Sequence, residues 1–251
     1  GWFDGKQGIL IRTRFDETPQ LHWVREPGGR RQQITFSGDP VLNAWPVNHI
    51  EVPQVVFLRD HLGDENFQVY HADILSGIEN RLSLGGNSRQ GVLIPAVETG
   101  QFAYYSTARN GRDWDLMRLV FDASNDSNKD LGLGAIGSRL NNEERLDRLD
   151  ESQVYLSQER ILIETIAESE GTWLPADWSP DGEWLLAFHV ESGAVSLPYM
   201  VKVDGGEKIA LYPEDERAAY MDGRFGAHGR VVYLLSNRGR EYVGLFQLDL
   251  S

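Results

Sequence analysis

A pattern that returns about every 46 residues constrains this chain more than any other feature of it. Five mostly apolar runs begin at Gly8, Gln54, Gln101, Glu183 and Arg230, at intervals of 46, 47, 82 and 47 residues. The long interval exceeds 47 by 35, which implies an insertion of about that length in one repeat. Behind each run comes a polar loop and a second run: Gln20–Val24, Phe67–Tyr70, Asp115–Leu119, Leu197–Val201 and Val243–Leu248. Gly-bearing turns follow several of these, at Pro27-Gly28-Gly29, Ser76-Gly77 and Asp204-Gly205-Gly206. Short third runs come next, Arg31–Phe36, Asn80–Leu84 and Lys208–Leu211. Such an order reads as antiparallel hairpins joined by tight turns.

One period holds about four short strands. A single twisted sheet of that size cannot bury both its faces, but sheets packed radially against one another can. The middle strand of such a sheet is apolar on both faces, and Val55–Leu58 and Trp184–Phe188 are continuous rather than alternating. A doubly wound α/β fold also buries its strands, yet it needs a helical stretch of about 10 residues between them. Four of the five repeats lack one. The expectation is therefore an all-β chain: a β-propeller of four-stranded antiparallel blades, with about five repeats visible, as part of a six- to eight-bladed propeller. The repeats fall near 1–48, 49–96, 97–168, 169–222 and 223–251, the last incomplete. The insertion spans about 123–158, between a third strand and a fourth at Ile161–Glu164, with a helix expected over Asn141–Asp150. It is either a docking element or a surface excursion. Asp181-Gly182, Asp4-Gly5 and His228-Gly229 each mark a turn before an apolar run, and Trp178 is expected on an inner strand.

Net charge is −14, so phosphate backbones and anionic membranes are poor partners. The surplus carboxylates equally serve solubility. With no cysteine, disulfides, thiolate metal sites and thiol nucleophiles drop out. No run reaches the roughly 20 apolar residues of a membrane span. No leader segment opens the chain, which starts abruptly at Gly1-Trp2-Phe3 as if cut from a longer protein. A cytoplasmic location is expected, with the periplasm open as the alternative.

Catalytic chemistry is sparse. His22, His49, His61, His71, His189 and His228 show no zinc-ligand spacing. Asp60, Asp64 and Glu65 do not alternate as calcium ligands would, and read as a solvated hairpin loop. Among 38 acids some carboxylate pair is inevitable, so a glycosidase pair carries no signal. Catalytic residues, metal and cofactor are all expected to be absent.

The ordered phrases Thr13-Arg14-Phe15, Gln20-Leu21-His22, Pro27-Gly28-Gly29, Gln33–Phe36, Gly63–Gln68 with Tyr70, Arg109–Asp113 with Asp115, and Ala176–Gly182 resemble one known family. It is the N-terminal propeller of the prolyl oligopeptidase family of serine peptidases, on its acylaminoacyl-peptidase-like bacterial branch. The match covers nearly the whole chain and is poor between about Ala123 and Ser169; TolB-like propellers share the Ser-Pro-Asp-Gly phrase alone. The resemblance implies a separate α/β-hydrolase domain, C-terminal to this segment, whose triad serine sits on a Gly-x-Ser-x-Gly elbow. No such elbow occurs here: Gly86–Gly91 holds one residue too many, and Gly134–Ser138 also fails. The run to Leu248–Ser251 reads as a third strand, so the catalytic half and further blades are expected beyond it.

Arg59, Asp60 and Asp64, Arg109, Asn110 and Arg112, and Arg238 and Arg240 occupy equivalent loops between first and second runs. They are the candidate site: a polar ring at one end of the propeller, facing substrate or a partner domain. The alternative is ordinary turn chemistry with Arg and Asp tying the loops. Three functions follow. The first is a non-catalytic propeller that covers a peptidase active site and admits short peptides. A second is a stand-alone TolB-like propeller serving as a protein-interaction scaffold. The third is a propeller enzyme with metal or carboxylates in its channel. An open arc would also expose sheet faces and favour homo-oligomers.

Overall fold

The structure, a computed structural model, describes residues 8–14, 17–47, 53–83, 87–96, 99–122, 153–156 and 159–250. Among them are nineteen strands and no helix. Sheet 1 holds β1 (Ile9–Arg14), β2 (Pro19–Val24) and β3 (Arg31–Gln33). Sheet 2 holds β4 (Val41–Val47), β5 (Gln54–Arg59), β6 (Gln68–Asp73) and β7 (Glu79–Arg81). Sheet 3 takes β8 (Gln90–Ala96), β9 (Gln101–Ser106), β10 (Asp115–Asp122), β11 (Gln153–Leu156) and β12 (Glu159–Ala167) in the order β8-β9-β10-β12-β11. Sheet 4 is β13 (Thr172–Trp178), β14 (Trp184–Ser192), β15 (Val195–Lys202) and β16 (Lys208–Ala210). Sheet 5 is β17 (Tyr220–Phe225), β18 (Val231–Ser236) and β19 (Gly244–Asp249). All their ladders are antiparallel.

Strand count departs from four in three sheets. Sheets 1 and 5 show three described strands each, and sheet 3 shows five. The fifth is β11, which the insertion lays along the outer edge of β12. The fourth strand expected at Ile161–Glu164 lies within β12. The expected helix at 141–150 and the Asp4-Gly5 turn lie outside the described residues.

Sheets 2 to 5 each start one strand ahead of the apolar run, at Val41, Gln90, Thr172 and Tyr220. Three of these first strands contain a proline: Pro46, Pro95 and Pro175. That is tolerated because each is an edge strand, where a missing N–H need not break a ladder bond. All four also carry a register shift, at Val41/Asn43, Gly91/Ile94, Pro175/Asp177 and Tyr220/Asp222. A bulge increases local twist. The first strands approach one another, β8 with β4 and β13, and β13 with β17. The sheets thus converge on their first strands, as blades of a propeller do, and Trp178 ends one of them.

Alternate residues of each second strand face opposite neighbours. In β5, Val55 and Phe57 pack with Leu10 and Leu21 of sheet 1, while Val56 and Leu58 pack with Phe102 and Tyr104 of sheet 3. In β14, Leu185 and Ala187 meet Ala103 and Leu116, and Leu186 and Phe188 meet Val232 and Leu234. Burial on both faces explains the continuous apolar runs. Each such Leu or Phe contributes about 2 kcal/mol of transfer free energy. In β18 the same alternation leaves Tyr233 and Leu235 38% and 39% exposed, beside Leu245 at 67%.

Candidate functional site

The candidate loops join β5 to β6, β9 to β10 and β18 to β19. Equivalent strand directions put all three at one end of the stack. The connection from β12 to β13 shares that end, since Ser169 and Gly171 bond to the β9–β10 loop.

The β9–β10 loop is the most tightly tied. Arg109 Nε and an Nη each donate to Asp115 at 2.9 Å, and the same Nη donates to the Ser169 carbonyl at 2.7 Å. Ser169 N–H donates back to Asp115 at 2.9 Å. Asn110 Oδ1 accepts from the N–H groups of Arg112 and Asp113, and its amide donates to Asp113 at 2.8 Å. The Gly171 N–H first, then the Asn110 amide, hold the Asp113 carboxyl below the usual carboxylate range. Asp115 in turn raises the Arg109 pKa through its hydrogen bonds. Arg112 points outward, its side chain 85% exposed.

The β5–β6 loop departs from a solvated polar ring at two residues. Arg59 turns into the sheet, pairing with Glu79 at 2.7 Å and lying 4.1 Å over the Tyr70 ring. Asp60 is buried rather than solvated, 6% exposed. Asp64 does face solvent, and accepts from the N–H groups of Asn66 at 2.9 Å and His61 at 3.3 Å. The Asn66 N–H is the main cause of its lowered pKa. His61 pairs with Asp39 at 3.0 Å. In the β18–β19 loop, Arg238 pairs with Glu216 at 2.6 Å and Arg240 covers the Phe246 ring at 4.9 Å. Arg59, Asp64, Arg109, Asn110 and Arg238 therefore bond inward or along their own loop, Asp60 is buried with its Oδ1 unpartnered among the described residues, and the exposed Arg112 and Arg240 make only an ion pair with Asp113 at 3.4 Å and a contact over Phe246.

Sequence reading missed the residues that pin each sheet to its connection. In sheet 1, Thr35 Oγ1 donates to Gln20 Oε1 at 2.7 Å and accepts from Leu21 N–H at 2.9 Å. The Gln20 amide donates to the Ser37 and Asp39 carbonyls. Sheet 2 repeats this with Ser83 and Gln68, whose amide reaches the Ser88 and Asn66 carbonyls. In sheet 3, Asp115 takes the glutamine position. In sheet 4, Ser196 bonds both the N–H and the carbonyl of Tyr220. The available signal was a glutamine followed 15 residues later by a hydroxyl, twice over.

At the opposite end two hairpins share one geometry. Ser179 N–H donates to the Trp184 carbonyl and Gly182 N–H to Ser179, as Gly226 does to Val231 and Gly229 to Gly226. Gly182 and Gly229 both need positive φ, 73° and 66°. Among the described residues no group of three or more metal-ligating side chains converges.

These features define the class: radially stacked antiparallel sheets of the β-propeller kind. No known family pattern and no curated protein sequence matches the chain. Solved structures do. A puromycin hydrolase aligns over 99% of the chain and 37% of its own length, at 12% identity and a TM-score of 0.60. Prolyl oligopeptidase B from Galerina marginata aligns over 96% and 34%, at 14% identity and 0.55. TolB from Acinetobacter baumannii aligns over 100% and 51%, at 13% identity and 0.52. The likeness is one of fold, and the chain spans about half or less of each of these proteins.

Proposed function

We propose that the chain is the non-catalytic propeller of a prolyl-oligopeptidase-family serine peptidase. It covers the active site of an α/β-hydrolase domain that follows it and restricts substrate to short peptides. The ordered phrases of the sequence and the fold shared with a puromycin hydrolase and a prolyl oligopeptidase support this reading. The observation that carries it is the uncovered face of sheet 5. Tyr233 and Leu235 occupy the alternate positions that Leu186 and Phe188 fill in β14, where the next sheet buries them. Such a face suits a module that continues into further protein.

Reading the coding sequence past Ser251 tests the proposal. A further propeller sheet and then a hydrolase with a Gly-x-Ser-x-Gly elbow are expected, and the whole protein should cleave short peptides but not folded ones. A stop codon at that point overturns it. The second reading, a TolB-like scaffold, draws on the alignment with TolB over the full chain. It predicts no hydrolase and stable capture of a protein partner.

A further inference from the structure

The β2–β3 connection and β3 of sheet 1 and the β6–β7 turn of sheet 2 line a cleft of about 930 Å³. Its floor is apolar, made by Trp23, Ile34 and Ile74, the last two almost fully buried. Its walls carry Arg25, Arg30 and Arg31 against a single acid, Glu26. Phe36 and Leu75 stand at its lip, 72% and 65% exposed. One wall is β3, the outermost strand of sheet 1, whose far edge pairs with no described strand. Gln32 crosses the floor to the Ile74 carbonyl at 3.4 Å, so both sheets hold the cleft open between them.

Two features of this cleft run against the rest of the molecule. The chain has 38 acids against 24 bases, yet the cleft lining is cationic. Most arginines at the loop end are used in ion pairs or over rings, whereas Arg25 and Arg30 form no ion pair among the described residues. Cations left unpaired around an apolar floor favour an occupant that is anionic and carries an apolar side chain. The free edge of β3 adds unpaired main-chain donors and acceptors, which an extended peptide satisfies and a small anion does not. A nucleic acid has no extended peptide backbone with which to pair that edge.

We propose that this cleft binds an extended, acidic peptide segment of a partner protein. The segment adds a strand to β3, sets its carboxylates against Arg25 and Arg30, and seats one bulky apolar side chain between Phe36 and Leu75. The proposal does not depend on the peptidase reading, because the cleft lies on the outer rim, away from the candidate loops.

The probe is a fluorescein-labelled peptide, Asp-Glu-Asp-Leu-Glu-Asp-Glu, titrated by anisotropy against the 251-residue chain. Saturable binding is expected, weakening at least about tenfold in the double variant Arg25→Glu/Arg30→Glu. It should also weaken as salt rises from about 50 to about 500 mM. Leu75→Ser should weaken it without changing the salt dependence. Both arginines are exposed, so the double variant keeps its melting temperature, and a loss of binding reports the site rather than the fold. The same peptide with lysine at every acidic position should not bind. Absence of binding by the unaltered chain, equal binding by the double variant, or tighter binding of heparin at this cleft overturns the proposal.

Discussion

Arg109 grips Asp115 through two parallel hydrogen bonds of 2.9 Å, and through that pair the β9–β10 loop is fastened to the start of the next sheet. Asp115 lies at the head of the third strand of sheet 3, the place Gln20 holds in sheet 1 and Gln68 in sheet 2. One physical need is met by two chemistries. The strand must be tied to the chain segment leaving its own blade. An amide with a hydroxyl partner does this in sheets 1 and 2, and a bidentate ion pair does it in sheet 3.

Asp115→Ala should destabilise the protein by about 2 kcal/mol, because the Ser169 N–H and the Arg109 fork lose their acceptor inside a buried corner. Asp115→Asn keeps one acceptor and should cost less. Urea unfolding followed by tryptophan fluorescence measures both. Equal, negligible effects would remove the tie from the account.

Gln68→Ala strands the Ser83 hydroxyl and the Ser88 carbonyl, and should cost about 1–3 kcal/mol. Gln68→Glu should cost at least as much, since a carboxylate would face the two carbonyls the amide now serves. Gln20 variants should behave alike. A repeat of function at both positions is the outcome to look for in melting curves.

His71 gives the fold an acid sensitivity. Burial lowers its pKa to about 4, while the unfolded chain titrates near 6.5. Below pH 6.5 the unfolded state therefore binds a proton that the folded state refuses. Stability from this group is full at neutral pH and is lost progressively as pH falls towards 4. At pH 5 the loss amounts to about 2 kcal/mol. Comparing His71→Gln with the unaltered protein at pH 7.5 and pH 5 isolates the effect, and the variant should show the shallower fall.

Gly223 of β17 sits where sheets 4 and 5 touch. A Cβ there would lie 2.8 Å from both Leu186 Cδ2 and Leu234 Cδ2. Gly223→Ala should cost about 1–3 kcal/mol through overpacking, and Gly223→Val more. A smaller neighbour should restore part of the loss, so the pair Gly223→Ala/Leu234→Val tests the mechanism by calorimetry.

The open face of sheet 5 should make the isolated chain bind a hydrophobic dye and associate as concentration rises. Leu235→Glu/Leu245→Glu should suppress both with little change in melting temperature, since neither side chain is in a core. Light scattering across a dilution series reads the difference.

Much of the architecture was legible because burial on both faces writes itself into a short run. Val55–Leu58 is apolar at every position for that reason, and Leu185–Phe188 likewise. The first strands were harder to read. Val41–Val47 carries Asn43 and Pro46 and is only half-buried through its middle, so its pattern is weak although Val41 packs towards sheet 1 and Val47 towards sheet 3. The site was read at loop level and not at residue level. Arg59 and Asp60 sit in the right loop, yet one leans on Tyr70 and the other is buried, choices made by neighbours some 10 to 20 residues away.

From the sequence alone come the period, the antiparallel hairpins, the doubly buried second strands and the lack of a nucleophile elbow. All of these are local or periodic properties, carried by residues within one repeat. Which carboxylate meets which arginine, which face stays bare, and the cationic cleft between sheets 1 and 2 were decided only when the sheets stacked. Those outcomes depend on contacts between residues tens of positions apart, and their geometry follows from the twist and order of whole sheets.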